Sequence, residues 1–139
     1  MRRLKRAPKS TKSRAINWET ASDIKKEIAL LTKLLNLDNI QTSRVFCFRS
    51  QNANTRAYAR IWGLPRLWQM ALGSKPAYIL EVISERFDKL PPREQHKVLL
   101  HELAHIPKNF SGSLLPHTHR RKGSFHDKLQ QMLLAYDKR

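Results

Sequence analysis

The chain is poor in several residue types, and each shortage narrows what it can be. It has a single cysteine, Cys47, among 139 residues, so no internal disulfide can form. This fits a reducing compartment, and we expect a cytoplasmic protein. Because Cys47 lies in the strand-like apolar run 45–48, a buried and unreactive thiol is expected there.

Long apolar segments are also missing. No run approaches the roughly 20 apolar residues that a membrane-spanning helix requires, so no membrane partner is predicted. Residues 1–6 begin with charge, but no apolar segment follows them, which argues against a secretory signal. With 40% hydrophobic residues in a chain of 139, one domain with a modest core is expected.

Acidic residues are scarce, with 11 Asp and Glu against 27 Lys and Arg, which gives a formal net charge of +16. Such an excess attracts polyanions, so nucleic acid is a candidate partner, although sequence-specific reading does not follow. Residues 1–16 are predicted to be a flexible basic arm, serving either as a solvated tail or as a polyanion contact, ahead of a folded domain at 17–139. The basic residues of the arm are Arg2, Arg3, Lys5, Arg6, Lys9, Lys12 and Arg14.

Apolar periodicity predicts the elements of the first half of the chain. A helix is expected to begin at Thr20-Ala21-Ser22-Asp23, which resembles a capping box, and to end near residues 36–39. Residues 44–49 predict a buried strand. Residues 55–62 alternate in polarity, which indicates a half-exposed strand and a candidate hairpin partner of the first. Residues 66–72 suit a short helix or an irregular connection.

The second half of the chain has clearer signals. Residues 77–84 give the strongest strand pattern. A helix should then begin at Pro91-Pro92, run through His105 and stop at the proline two residues later. A last helix is expected to open at Ser124, with Asp127 completing a second capping box. The whole pattern predicts a single α+β domain, in which a helix packs across a short mixed or antiparallel sheet.

The most informative motif lies at the end of the second predicted helix, His101-Glu102-Leu103-Ala104-His105. Two histidines four residues apart on a helix share one face, so both imidazoles can bind one zinc ion. Glu102 between them is a candidate general base for a zinc-activated water. This pattern indicates a metal-dependent hydrolase, most readily a peptidase acting on a protein or peptide substrate.

A catalytic zinc site usually has three protein ligands and an open position for water, so a third ligand must come from elsewhere. His117 is the first candidate, because the chain can turn back through Gly112 after the helix stops. His119 shares a face with His117 in an extended segment and is the alternative ligand. His126, in the first turn of the last helix, is a further candidate.

Other side chains near the predicted strands have two interpretations each. Glu81 is expected on a solvated strand face, with contact to a basic substrate side chain as the alternative. Trp62 and Trp68 are expected in the core, with stacking on nucleic-acid bases as the alternative. His96 lies five residues before the motif and points away from it, so we interpret it as a surface residue.

The chain resembles the phage-type metallopeptidase family of phages, bacteria and archaea, over roughly residues 43–135. Three downstream runs carry the resemblance, together with an upstream stretch over residues 58–90. The downstream runs are His101-Glu102-Leu103-Ala104-His105-Ile106-Pro107, then Phe110-Ser111-Gly112, and then Leu115-Pro116-His117. The upstream stretch includes Ala59-Arg60-Ile61-Trp62-Gly63-Leu64, Trp68, the strand at 78–83 and residues 87–90.

The resemblance implies a small zincin-like fold, distantly similar to SprT-like proteases. It implies zinc held by His101 and His105, with Glu102 as the base. It also implies His117 as third ligand, although the sequence His117-Thr118-His119 leaves His119 open at that position. SprT-like proteins often act near DNA, and that analogy combined with the charge suggests a protease associated with the nucleoid.

Three other functions stay open. One is a basic nucleic-acid-associated protein in which the zinc site is structural or accessory. Another is a metallohydrolase that cleaves something other than peptide, such as the endoribonuclease that uses three histidines, although that family spaces its histidines differently and lacks the glutamate base. The last is a toxin or host-interaction protein of a mobile element with the same chemistry.

Overall fold

The computed structural model describes residues 15–117 and 124–139, and these form an α+β fold. Within those ranges there are four strands and five helices. In chain order they are β1 (Asn17–Thr20), α1 (Ser22–Leu34), β2 (Val45–Gln51), β3 (Ala59–Gly63), α2 (Arg66–Leu72), β4 (Tyr78–Ile83), α3 (Ser84–Phe87), α4 (Pro92–Leu103) and α5 (Phe125–Asp137). The α+β class expected from the sequence is therefore confirmed.

The strands form one mixed sheet in the order β1-β2-β4-β3. β2 and β4 are parallel at its centre, and β1 and β3 pair antiparallel at the two edges. The predicted hairpin between β2 and β3 is wrong, because β4 lies between them. The parallel pairing needs a crossover, and the segment with β3 and α2 supplies it.

The strand β1 was not expected, and it changes how α1 begins. Thr20 ends β1 and pairs with Phe48, so it is not available to cap the helix. Ala21 is the N-cap instead and makes no side-chain cap bond. The predicted capping box is therefore wrong. Asp23 binds Arg49 on the neighbouring strand, with 2.9 Å between the Arg49 Nη1 atom and the carboxylate.

One face of the sheet carries the core. α1 and α4 lie on this face, and α5 packs against α4. Inward side chains of the central strands, such as Val45 and Leu80, are fully buried against α1 and α4. Cys47 belongs to this core, and burial raises the pKa of its thiol to about 11, which agrees with an unreactive side chain.

The last helix begins as the sequence predicts. Ser124 is its N-cap, and its hydroxyl oxygen accepts a hydrogen bond from the Asp127 backbone N–H. Phe125, Met132 and Tyr136 form the buried side of α5. Among the described helices, none is long and apolar enough to cross a membrane.

Candidate metal centre

The helix α4 places the first histidine and the glutamate of the motif beside the sheet. Pro91 is its N-cap and Pro92 its first residue, where a missing N–H costs nothing. α4 ends at Leu103, two residues earlier than expected. The backbone N–H of His105 bonds to the Glu102 carbonyl at 3.1 Å, so one tight turn follows the helix and keeps His105 near His101.

The next segment turns the chain back across the end of α4. Phe110 and Gly112 both have positive φ, 45° and 96°, and they set this reversal. The Leu115 N–H then donates to the His105 carbonyl oxygen at 2.7 Å. His117 follows two residues later, so the backbone of the motif itself aligns the loop that carries the third histidine.

Three histidine side chains converge at this place, from His101, His105 and His117. One ring nitrogen from each lies within 4.8 Å of the others, and a metal ion could be held between them. The Nε2 atoms of His101 and His117 are 3.4 Å apart. Nδ1 of His105 lies 2.7 Å from the Leu115 carbonyl oxygen, which only accepts, so Nδ1 carries the proton and Nε2 keeps a free lone pair.

The surroundings of His101 and His105 favour the neutral form of both imidazoles. Burial, together with the neighbouring rings of His105 and His117, lowers the pKa of His101 to about 4. Burial also lowers the pKa of His105. At neutral pH both rings therefore hold an uncharged form, which is the form that binds a metal.

Phe125, the first residue of α5, is the common neighbour of the three rings. It stacks on His105 with 4.1 Å between ring centroids and 17° between planes. It meets His101 and His117 edge to face, at 4.9 and 4.7 Å. The site therefore has an apolar, shape-filling side that limits how far each imidazole can rotate.

Glu102 lines an open cleft of about 750 Å³ together with His101, His105 and His117. It is only 8% exposed, and burial raises the pKa of its carboxyl to about 7. Most of the wall is apolar, including Ile61, Val98 and Leu115. Residues 57–61 form another wall, so β3, which is an edge strand among the described strands, borders the cleft next to α4.

The remaining candidates are placed differently. His119 lies outside the described residues. His126 is in the first turn of α5 and is not part of the three-histidine group found among the described residues. His96 is not a simple surface residue, since its ring contacts Glu27 and lies 2.8 Å from the Tyr136 hydroxyl, joining α1, α4 and α5.

The expectation for Glu81 is corrected by its position in the sheet. The strand before the motif helix, β4, is internal to the sheet, and the edge beside the cleft is β3. Glu81 is 1% exposed and is therefore not on a solvated face. It binds Arg60, with 2.8 Å between the carboxylate and Nε, and Trp62, with 2.9 Å to Nε1.

Two residues that hold the His117 loop had no signal in the sequence. The buried Gln69 side chain donates to the carbonyl oxygens of Leu64 and Ser111, at 2.7 and 2.9 Å. The Tyr78 hydroxyl accepts from the Gly112 N–H at 2.8 Å. All three partners are backbone atoms, which carry no sequence signature, so these anchors become visible only in three dimensions.

A mixed sheet with three histidines and a buried glutamate beside it defines a small α+β protein with a candidate metal site. Residues 16–134 match the family model described as "Putative phage metallopeptidase", and the chain belongs to that family. The resemblance drawn from the sequence is thus confirmed. Comparison with curated proteins and with solved structures gave no match.

Proposed function

We propose that the protein is a zinc-dependent metallopeptidase. The observation that carries this proposal is the convergence of three imidazoles next to a buried glutamate in the lining of one cleft. Membership in a metallopeptidase family supports the same reaction class. The sequence motif at residues 101–105 is the usual source of two zinc ligands and a general base.

The residues present fit zinc. Three nitrogen ligands with an open side toward a cleft are the common arrangement of a catalytic zinc site. The hydrogen bond from His105 Nδ1 to the Leu115 carbonyl fixes the ring so that Nε2 can face His101 and His117. In the proposed site these three histidines hold the ion, with His119 as the alternative to His117.

Zinc in such a site supplies a water of lowered pKa, near 7, and polarises a carbonyl group. With the metal bound, Glu102 would take a proton from that water and would return it to the leaving amine. Its burial suits the task, because a carboxyl with a pKa raised to about 7 both accepts and donates a proton near neutral pH.

The cleft also suggests how a substrate is held. The free edge of β3 presents backbone donors and acceptors to a chain lying along it, so an extended peptide can add as a fifth strand. The apolar walls around Ile61, Val98 and Leu115 favour an apolar substrate side chain near the cleaved bond. We place the reaction in the cytoplasm, in line with the buried free thiol of Cys47.

The first test is metal content, measured by elemental analysis on protein purified without a metal-binding tag. We expect about one zinc per chain in wild type, lost in His101→Ala and in His117→Ala and retained in His119→Ala. Retention in His117→Ala with loss in His119→Ala would reassign the third ligand. Wild type that binds no zinc even after reconstitution would overturn the proposal.

The second test separates an enzyme from a protein with an accessory zinc site. Zinc-loaded wild type and Glu102→Gln are incubated with an unfolded protein and a mixed peptide library, and products are read by mass spectrometry. We expect cleavage next to apolar residues by wild type only, with equal zinc content in both. Equal zinc and no cleavage by wild type would favour the accessory role.

A further inference from the structure

The face of the sheet opposite the core carries exposed aromatic side chains on three strands. By the strand register, Trp62, Ile79 and Phe46 lie side by side on β3, β4 and β2, and Trp18 lies on β1. Trp18 is 53% exposed, Trp62 is 48% exposed and Phe46 is 43% exposed. We call Trp18, Phe46, Trp62 and Ile79 the outer-face cluster. Single exposed aromatics need no explanation, but a contiguous group on one sheet face does.

Positive charge borders the outer-face cluster beside Phe46. The guanidinium of Arg44 lies 5.7 Å from the Phe46 ring, and the ammonium of Lys25 lies 5.8 Å from the same ring. Arg44 donates to the Lys75 and Pro76 carbonyls, which carry no charge, so its own charge is not neutralised by them. The surface therefore combines flat rings with cations.

Among the outward positions of the four described strands, Glu81 is the one with a carboxylate. This carboxylate is already hydrogen-bonded to neighbouring side chains. It is 1% exposed and accepts hydrogen bonds from Arg60 and from the indole N–H groups of Trp62 and Trp18, at 2.9 and 3.3 Å. Glu81 thus fixes two indole rings, and its negative charge is paired with the positive charge of Arg60. Rings held in place before binding lose less entropy when a ligand stacks on them.

Phe46, Trp62 and Ile79 also line a shallow concavity of about 310 Å³, together with Arg44. Phe46 and Trp62 are two strands apart, which separates their backbones by roughly 10 Å at ~4.8 Å per strand. Ile79 lies between them on β4, so the two rings flank an apolar floor on which a base can rest.

We propose that the outer face of the sheet binds single-stranded nucleic acid, with bases stacking on the outer-face cluster and phosphates meeting Arg44 and Lys25. Stacking platforms bordered by cations are how proteins bind single strands without sequence preference. The net charge of +16 favours a polyanion over a second copy of this chain or over the basic residues 1–16, which repel the same surface. This site lies across the sheet from the metal centre and does not depend on it.

The test uses fluorescence anisotropy of labelled 20-nucleotide oligo(dT) and oligo(U) with the full chain. The variants are Trp62→Leu and Trp18→Leu on the outer face and Trp68→Leu as matched control, since Trp68 is 58% exposed on α2. We expect Kd to rise roughly tenfold for each outer-face variant and to stay within about twofold for the control. Comparison of oligo(dT) with oligo(U) shows whether DNA or RNA binds more tightly. Glu102→Gln should bind like wild type.

The main competing explanation is that nucleic acid binds through positive charge alone, without base stacking. If Trp18→Leu and Trp62→Leu bind both strands as tightly as wild type, or if Trp68→Leu is weakened equally, the proposal is wrong. It is also wrong if wild type self-associates in sedimentation experiments and Trp62→Leu turns it into a monomer. Trp62→Phe keeps a stacking ring and should bind within a few-fold of wild type, which guards against loss of binding through misfolding.

Discussion

Nδ1 of His105 lies 2.7 Å from the carbonyl oxygen of Leu115, and the N–H of Leu115 lies 2.7 Å from the carbonyl oxygen of His105. One residue of the helix motif is thus bonded twice to the loop that carries His117. The two bonds make the position of the third histidine a property of the fold, and changes that disturb the loop should therefore weaken metal binding.

The glycine at the turn of this loop gives the sharpest test. Gly112 has φ of +96°, and a Cβ there would lie 2.3 Å from Gln69 Nε2 and 2.5 Å from the Leu64 carbonyl oxygen. Gly112→Ala should therefore combine backbone strain with overpacking, each of about 1–3 kcal/mol. We expect a fall in the free energy of unfolding measured in urea, together with loss of bound zinc.

Gly73→Ala is the matched control. Gly73 also has positive φ, +63°, but a Cβ there meets nothing within 4 Å. Gly73→Ala should lower the free energy of unfolding only by the cost of a left-handed backbone at alanine, about 1 kcal/mol, and should leave the zinc content unchanged. Equal losses of stability in the two alanine variants would show that the close approach between the Gly112 loop and Gln69 is not important.

The Tyr78 hydroxyl is the second anchor of the loop. It accepts from the Gly112 N–H and donates to the Ser113 carbonyl oxygen, both at 2.8 Å. Tyr78→Phe leaves a buried N–H without its acceptor, which costs about 1–3 kcal/mol. Thermal unfolding of the metal-free protein should show a lower Tm. Tyr58→Phe, at a 47% exposed ring, should leave Tm unchanged, and a similar fall in both variants would contradict this reading.

Substitution of Phe125 should weaken zinc binding more than substitution of an exposed residue elsewhere on α5. Phe125→Leu keeps an apolar side chain but loses the ring contacts to the three histidines, worth about 0.5–1.5 kcal/mol for an aromatic pair. Zinc affinity, measured by competition with a chelating dye, should fall by a corresponding factor of about 2–12. Leu134→Ala, at a 60% exposed position of α5, should bind zinc like wild type. An unchanged affinity in Phe125→Leu would remove Phe125 from the site.

The sequence predicts those parts of the fold that local pattern controls. The start of α4 at Pro92, the Ser124 cap of α5 and the strand β4 follow from residue type and spacing, and all three are present. The motif at residues 101–105 needs only helical geometry to be recognised, and His117 needs only a loop that reverses. These features could be identified without coordinates.

The errors concern tertiary pairing. β1 has only four residues, all exposed, so it has no apolar alternation to reveal it. Its pairing with β2 removes Thr20 from the helix cap, and the insertion of β4 between β2 and β3 removes the expected hairpin. Glu81 was misjudged for a related reason. Its partners Arg60, Trp62 and Trp18 come from two other strands, and only the register brings them together.

The final prediction concerns the buried carboxylate of Glu81 and how its contribution to the free energy of unfolding depends on pH. Burial alone would raise its pKa, but the hydrogen bonds from Arg60 and Trp62 outweigh burial, so the pKa lies below the ordinary value of 4.5. A carboxyl with a lowered folded-state pKa contributes stability that is present above pH 4.5 and is lost as pH falls through the folded-state value.

Glu81→Gln keeps the shape of the side chain but removes this contribution. Urea unfolding should therefore show a larger difference between wild type and Glu81→Gln at pH 7 than at pH 3. A difference that is constant with pH would mean that the charge of Glu81 does not stabilise the sheet.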